Sequence, residues 1–161
     1  MSSGLVLSLV EKLKYMGYFI TKVIEYNSQL LVVAKSGLEK ALFIETDVYD
    51  EPLRKLCEIS TLLKIKIYTV NDKYQINEIK CHITPSKDLI RKNKMLDELA
   101  EGSTIHHLKG KYNLHGRAYI NLVRLFKWLN ERKLIEKHGN FVKTKRPLRL
   151  EERIEILLKV F

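Results

Sequence analysis

The chain has 161 residues, 45% hydrophobic and 30% charged, a balance that excludes a disordered polymer and allows one ordinary domain or two small ones. No apolar run approaches the roughly 20 residues of a membrane span, and Gly4 to Val10 lacks the length and basic flank of a signal peptide, so a cytoplasmic protein is expected. The net charge of +10 is unevenly held: residues 1–80 carry 11 Lys+Arg against 10 Asp+Glu, whereas residues 81–161 carry 18 against 9 together with all five histidines.

Taken in order, Leu5 to Tyr15 reads as a helix with Leu5, Leu9, Val10 and Leu13 on one side, closed by Gly17. Three strands follow, Phe19 to Tyr26, Gln29 to Ala34 and Ala41 to Thr46, separated by turns at Asn27-Ser28 and around Gly37. Asp50, Glu51 and Pro52 then open a helix through Leu53 to Lys64. Ile65 to Val70 and Tyr74 to Ile79 are further strands, the last alternating as an edge strand does. Residues 1–80 thus predict an α/β (α+β) domain of order α-β-β-β-α-β-β, whose crossover sets Ile65 to Val70 parallel to one of the first three strands. Cys57 sits in the second helical pattern as a small hydrophobe, neither it nor Cys81 belongs to a CxxC pair, and no disulfide framework is implied. Cys81, His82, His106 and His107 match no zinc spacing, and neither a metal nor any other cofactor is expected.

This order resembles the nuclease fold shared by type II restriction endonucleases, archaeal Holliday-junction resolvases and the catalytic domain of tRNA-splicing endonucleases. The resemblance is one of topology, across Leu5 to Ile79. For the metal-dependent members it implies an Asp early in the second strand and an ExK motif on the third, which hold Mg²⁺ and activate water. Here the third strand offers Glu45, Thr46 and Asp47, and Gln29 to Ala34 has no acid. Nor is the Tyr, His and Lys set of the metal-independent splicing enzymes present. Glu45 and Asp47 are therefore the metal ligands of a nuclease reading, in a site without its lysine; the expectation is a non-catalytic nuclease-like scaffold used for dimerisation or a protein contact. A Rossmann-like sensing module would need a glycine-rich phosphate loop, and none is visible.

Residues 84–161 hold the charge excess, and an excess confined to one half is the footprint of a polyanionic partner. Thr84 reads as an N-cap and Pro85 as the first residue of a helix to Ala100, with Leu89, Ile90, Leu96 and Leu99 on its apolar side. Ser103 is expected to cap a short helix, Thr104 to Lys111, and Tyr112 to Gly116 to form a turn that sets His115 and Arg117 at the entrance of a helix from Arg117 to about Lys133. At 100° per residue, Ala118, Tyr119, Leu122, Val123, Leu125, Phe126 and Leu129 form its packed face. The other side holds Arg117, Asn121, Arg124, Lys127, Trp128 and Arg132, residue types that suit guanine edges, adenine edges or phosphates in a DNA major groove. Leu134 to Lys137 and Phe141 to Thr144, joined by His138, Gly139 and Asn140, read as a hairpin with Lys137, His138, Asn140, Lys143, Lys145 and Arg146 on or beside it. Past Pro147, Leu150, Ile154, Leu157, Leu158 and Phe161 mark an amphipathic helix that either closes this core or supplies a dimer seam.

Helix, short helix, basic helix and hairpin, over about Pro85 to Arg146, resemble a winged-helix domain; the likeness rests on element order and charge placement. It implies double-stranded DNA as partner, a transcriptional regulator or DNA-architecture factor as function, and suits a homodimer, since a two-fold protein reads a palindromic site. Two other readings stay open: a structure-selective metal-dependent nuclease fed by the winged helix, and an RNA-binding or assembly subunit.

Overall fold

The computed structural model describes residues 3–45 and 50–161. The chain divides into two units, Met1–Pro85 and Ser86–Phe161. In the first, α1 (Ser3–Tyr15) precedes β1 (Phe19–Tyr26), β2 (Gln29–Ser36) and β3 (Glu39–Glu45); α2 (Asp50–Leu63) leads to β4 (Ile67–Val70) and β5 (Ile76–Ile79). The sheet has the order β1-β2-β3-β4-β5. Asn27 and Ser28, at φ 48° and 62°, supply the left-handed pair that a tight β1–β2 hairpin needs, and Gly37 at φ 69° turns β2 into β3. The α2 crossover makes β4 parallel to β3, with Glu45 beside Val70 in register, and β5 returns antiparallel as the edge.

Side chains alternate across this sheet. Val32, Ala34, Ala41, Phe43 and Val70 form one face and are buried with Leu9 and Leu13 of α1. The residues between them, Leu31, Val33, Leu42, Ile44 and Ile67, are buried too. Cover on both faces is why β2 and β3 read as unbroken apolar runs. Glu45 follows the register of Ala41 and Phe43 and so lies on the α1 side. The reading of Cys57 as a small hydrophobe outside any disulfide framework is corrected: Cys57 of α2 is joined to Cys81, just past β5, across a Cα separation of 5.3 Å that a disulfide spans. The Cys81 sulfur, so joined, is no thiolate ligand, and among the described residues no three His, Cys, Asp or Glu side chains converge on a metal-sized position. No described helix is long and apolar enough to cross a membrane.

The second unit runs α3 (Lys87–Glu101), β6 (Ser103–Thr104), α4 (Ile105–Lys111), α5 (Arg117–Glu131), β7 (Ile135–His138), β8 (Phe141–Thr144) and α6 (Leu150–Glu155), which continues as a π-helix over Ile156–Val160. Two caps fall elsewhere than the sequence suggests. Ser86, not Thr84, caps α3, its Oγ accepting from the Leu89 N–H at 3.2 Å; Thr104, not Ser103, caps α4 by accepting from the His107 N–H at 2.9 Å. Ser103 is instead drawn into β6, paired with Val142, which turns the hairpin into a three-stranded sheet of order β6-β8-β7.

That third strand depends on Gly102. Its φ is +104°, and a Cβ there would lie 2.2 Å from Cζ of Phe141. Only glycine lets the strand start this close to the ring. The core of the unit collects Leu89, Met95, Leu96 and Leu99 of α3, Leu108, Leu114, Leu122, Leu125, Phe126 and Leu129, then Ile135 and Val142 of the hairpin. Ile154, Ile156, Leu157 and Leu158 are also buried, and Lys92 Nζ donates to the Phe161 carbonyl at 2.7 Å, so the amphipathic C-terminal segment closes this core.

Candidate nucleic-acid interface

Helix α5 is positioned by its approach. Leu114 is buried, Asn113 and Gly116 take left-handed φ values of 52° and 56°, and the two residues before them are tied back to α3. Lys111 Nζ and the Tyr112 hydroxyl both hydrogen-bond to the Glu98 carboxylate. Burial, then the Glu98 hydrogen bond and charge, push the Tyr112 hydroxyl up to about 12. Burial raises Glu98 too, but the bonds from Lys111 and Tyr112 outweigh it and hold the carboxyl below its ordinary value. The start of α5 is thereby fixed on α3 by charge-assisted bonds. His115, exposed at the turn, has Nε2 2.7 Å from Asn113 Oδ1.

Along α5, Leu122, Leu125, Phe126 and Leu129 point inward within one arc of the helix. Directly opposite are Ile120, Arg124, Lys127 and Glu131, with Arg117 one step aside; all five are exposed. The row of Arg117, Asn121 and Arg124 expected on the outer face therefore splits. Asn121 lies on the flank, half-buried in a cleft of about 300 Å³ with Arg91, Leu114, Arg117 and Phe161. Trp128 lies on the same flank, half-buried, with the Arg132 guanidinium stacked 3.8 Å from its ring centroid. Val123, expected in the packed face, is 41% exposed, and Ile120, which the sequence pattern does not single out, is 57% exposed. Val123 sits past the edge of the buried arc, which the wide stripe drawn from sequence does not resolve, and Ile120 faces directly away from it.

On the hairpin, Ile135, Val142 and Thr144 turn inward while Lys137, His138, Asn140, Lys143 and Lys145 are exposed. Glu136 is the acid among them, opposite Lys143 in register and 3.9 Å from His138 Nε2. Arg146 is engaged elsewhere: its guanidinium holds Glu152 at 2.8 and 2.9 Å, an opposite charge that raises its pKa.

Four of the nine acids of this unit are paired away from α5 and the hairpin. Asp88 takes Arg91 and Lys92, Asp97 takes Arg153, Glu98 takes Lys111 and Glu152 takes Arg146. Arg117, Arg124, Lys137, Lys143 and Lys145 form no ion pair among the described residues, and Lys127 has only Glu131 at 4.0 Å. What remains is a set of cations without an ion pair, Arg117 and Arg124 on the helix and Lys137, Lys143 and Lys145 on or beside the hairpin, with Glu131 and Glu136 interspersed among them.

In the first unit Glu45 also has company. Lys12 of α1, 7% exposed, places Nζ 3.8 Å from Glu45 Oε2 and 3.2 Å from Asp72 Oδ1. The sequence by itself shows no positive group at this end of the sheet; α1, packed over the Glu45 face, supplies one. Nor does it mark Asp72, because only the β4–β5 return carries that turn beside β3. Asp47, the other acid of the nuclease reading, lies outside the described residues. Compared with family models, curated proteins and solved structures, the chain matches none.

Proposed function

We propose that the chain is a DNA-binding protein, a transcriptional regulator or DNA-architecture factor, whose second unit acts as a winged helix with α5 in the major groove and the β7–β8 hairpin on the flanking backbone. The observation that carries this reading is the set of exposed cations without an ion pair on α5 and the hairpin, Arg117, Arg124, Lys137, Lys143 and Lys145, while Asp88, Asp97, Glu98 and Glu152 of the same unit are paired on other elements. Phosphate binding by such a set releases counterions and holds the helix in register. The N-terminal half of α5, with Arg117 and Arg124 outward, is the part that then meets base edges.

The first unit we take as a nuclease-like scaffold without chemistry, serving a homodimer or another protein contact. Its meander, crossover and return follow the α-β-β-β-α-β-β order of that fold, and the Lys12 ammonium neutralises the carboxylates at the end where the fold places its metal. We place the protein in the cytoplasm, where the Cys57–Cys81 disulfide would have to persist against reducing thiols.

The test is a titration of the full chain into a labelled mixed-sequence duplex at several salt concentrations. Affinity is expected to fall with salt by a slope of about 0.9 per neutralised phosphate. Absence of any salt-dependent affinity would end this reading.

A further inference from the structure

The outward stripe of α5 is not purely cationic. Ile120 is 57% exposed and stands three residues after Arg117 and four before Arg124, with Val123, 41% exposed, beside it. A single exposed aliphatic residue is ordinary on a protein surface. Here its surroundings set it apart: it lies at the centre of the stripe opposite Leu122, Leu125, Phe126 and Leu129, between the two arginines that the DNA-binding reading aims at the groove. We infer, on the basis of that reading, that Ile120 contacts the 5-methyl group of a thymine and makes the interface selective for thymine-containing DNA.

The chemistry leaves one partner for an aliphatic side chain at that depth. Every polar atom on a major-groove edge loses water when an isoleucine covers it, with no hydrogen bond in return. The thymine methyl is the apolar group the groove offers, and contact with it removes apolar surface from water on both sides. Helix geometry then limits where the thymine sits. At 1.5 Å per residue, Ile120 is about 4.5 Å along the axis from Arg117 and about 6 Å from Arg124. With about 3.4 Å between base pairs, the thymine is expected within a few pairs of the group that Arg117 meets, the number being set by the tilt of the helix in the groove. RNA lacks both the methyl and a readable major groove, so the same residue argues against a duplex-RNA partner.

Duplexes selected by the full chain from a random pool provide the probe, each compared with a copy carrying deoxyuridine at every thymine. Wild type is expected to bind the uracil copy about three- to tenfold more weakly. Ile120→Ala should bind both copies alike, near the uracil value, whereas Arg124→Ala should weaken both and keep their ratio. Equal affinity of wild type for the two copies, discrimination that survives Ile120→Ala, or a pool that enriches no sequence overturns the inference and leaves DNA binding standing. So does an Ile120→Ala effect confined to self-association in sedimentation, which would assign the residue to a protein contact. Failure to bind any duplex would bring down the inference together with the reading beneath it.

Discussion

Arg146 and Glu152 face each other fork to fork, Nη1 to Oε1 at 2.8 Å and Nη2 to Oε2 at 2.9 Å, and the same carboxylate accepts the Arg149 N–H at 2.8 Å. The pair bends the chain around Pro147 and caps α6, and α6 leads into the segment that closes the core. Arg146 is therefore separated from its neighbours Lys143 and Lys145, which are exposed and form no ion pair among the described residues. Arg146→Ala should lower stability by up to about 1 kcal/mol, since the pair is partly exposed, and leave the salt slope of DNA binding unchanged. Lys143→Ala with Lys145→Ala should do the reverse, reducing the slope by roughly 0.9 for each phosphate that is no longer neutralised. Thermal melting and salt titration of the two variants separate the roles.

Helix α5 makes a similar division. Replacing Arg117 or Arg124 by Ala should cost about 1 to 3 kcal/mol on a selected duplex if its guanidinium holds a guanine. Equal losses on selected and random DNA would instead make it a phosphate contact. Asn121→Ala should affect DNA less than either, because the side chain is half-buried in the cleft beside Leu114 and Phe161.

The base of the hairpin rests on a residue with no side chain. Gly102→Ala combines a φ of +104° with a Cβ 2.2 Å from the Phe141 ring, and should destabilise the protein by more than about 1 kcal/mol. Adding Phe141→Ala removes the clash but not the strain. The double variant should thus be less destabilised than the sum of the single ones, a coupling that denaturant unfolding measures directly.

The Tyr112–Glu98 bond predicts an alkaline limit. An unfolded tyrosine ionises near pH 10, and the folded hydroxyl does so at about 12. Because the folded value is the higher, the stabilisation is complete below pH 10 and is lost as pH rises from 10 towards 12. The melting temperature of wild type should fall across that window more steeply than that of Tyr112→Phe. Glu98 is shifted the other way, below its ordinary value, so its contribution is complete above that ordinary value and is lost as pH falls from it through the lower folded one.

What the sequence reveals, and what it hides, follows from the range of each interaction. The strands β2 and β3, the buried arc of α5 and the turn at Gly139 are written in neighbouring residues, as alternation, helical period or a backbone preference. Ser103 reads as a cap because a hydroxyl before a helix is a local signal; its strand pairing exists only because Val142 returns beside it. The disulfide closes across 24 residues and the Lys12–Asp72 pair across 60, neither marked by spacing. Charge counting finds Arg146 as a cation and cannot show that Glu152 folds back onto it. The site is legible as a charged helix and hairpin; which of those charges are already neutralised needs the fold.

The same long-range pairing governs whether the first unit cuts DNA. A metal-dependent nuclease site at the end of β3 would need carboxylates on a divalent cation and a separate lysine to stabilise a pentacovalent phosphate. Here the lysine is present, but its ammonium lies 3.8 Å from Glu45 and 3.2 Å from Asp72, so the two acids hold an organic cation in the space that a metal would need. Moving Lys12 aside for a metal would leave a side chain only 7% exposed without its partners. Lys12→Met should therefore destabilise the unit, by about 1 to 2 kcal/mol because Asp72 is fully exposed and Glu45 only partly covered. Wild-type protein incubated with branched, single-stranded and duplex DNA in Mg²⁺ and in Mn²⁺ should leave all three intact. Cleavage that disappears in Glu45→Ala would overturn this and make the end of β3 an active site; cleavage that persists in Glu45→Ala would place the chemistry away from the Lys12–Glu45–Asp72 cluster.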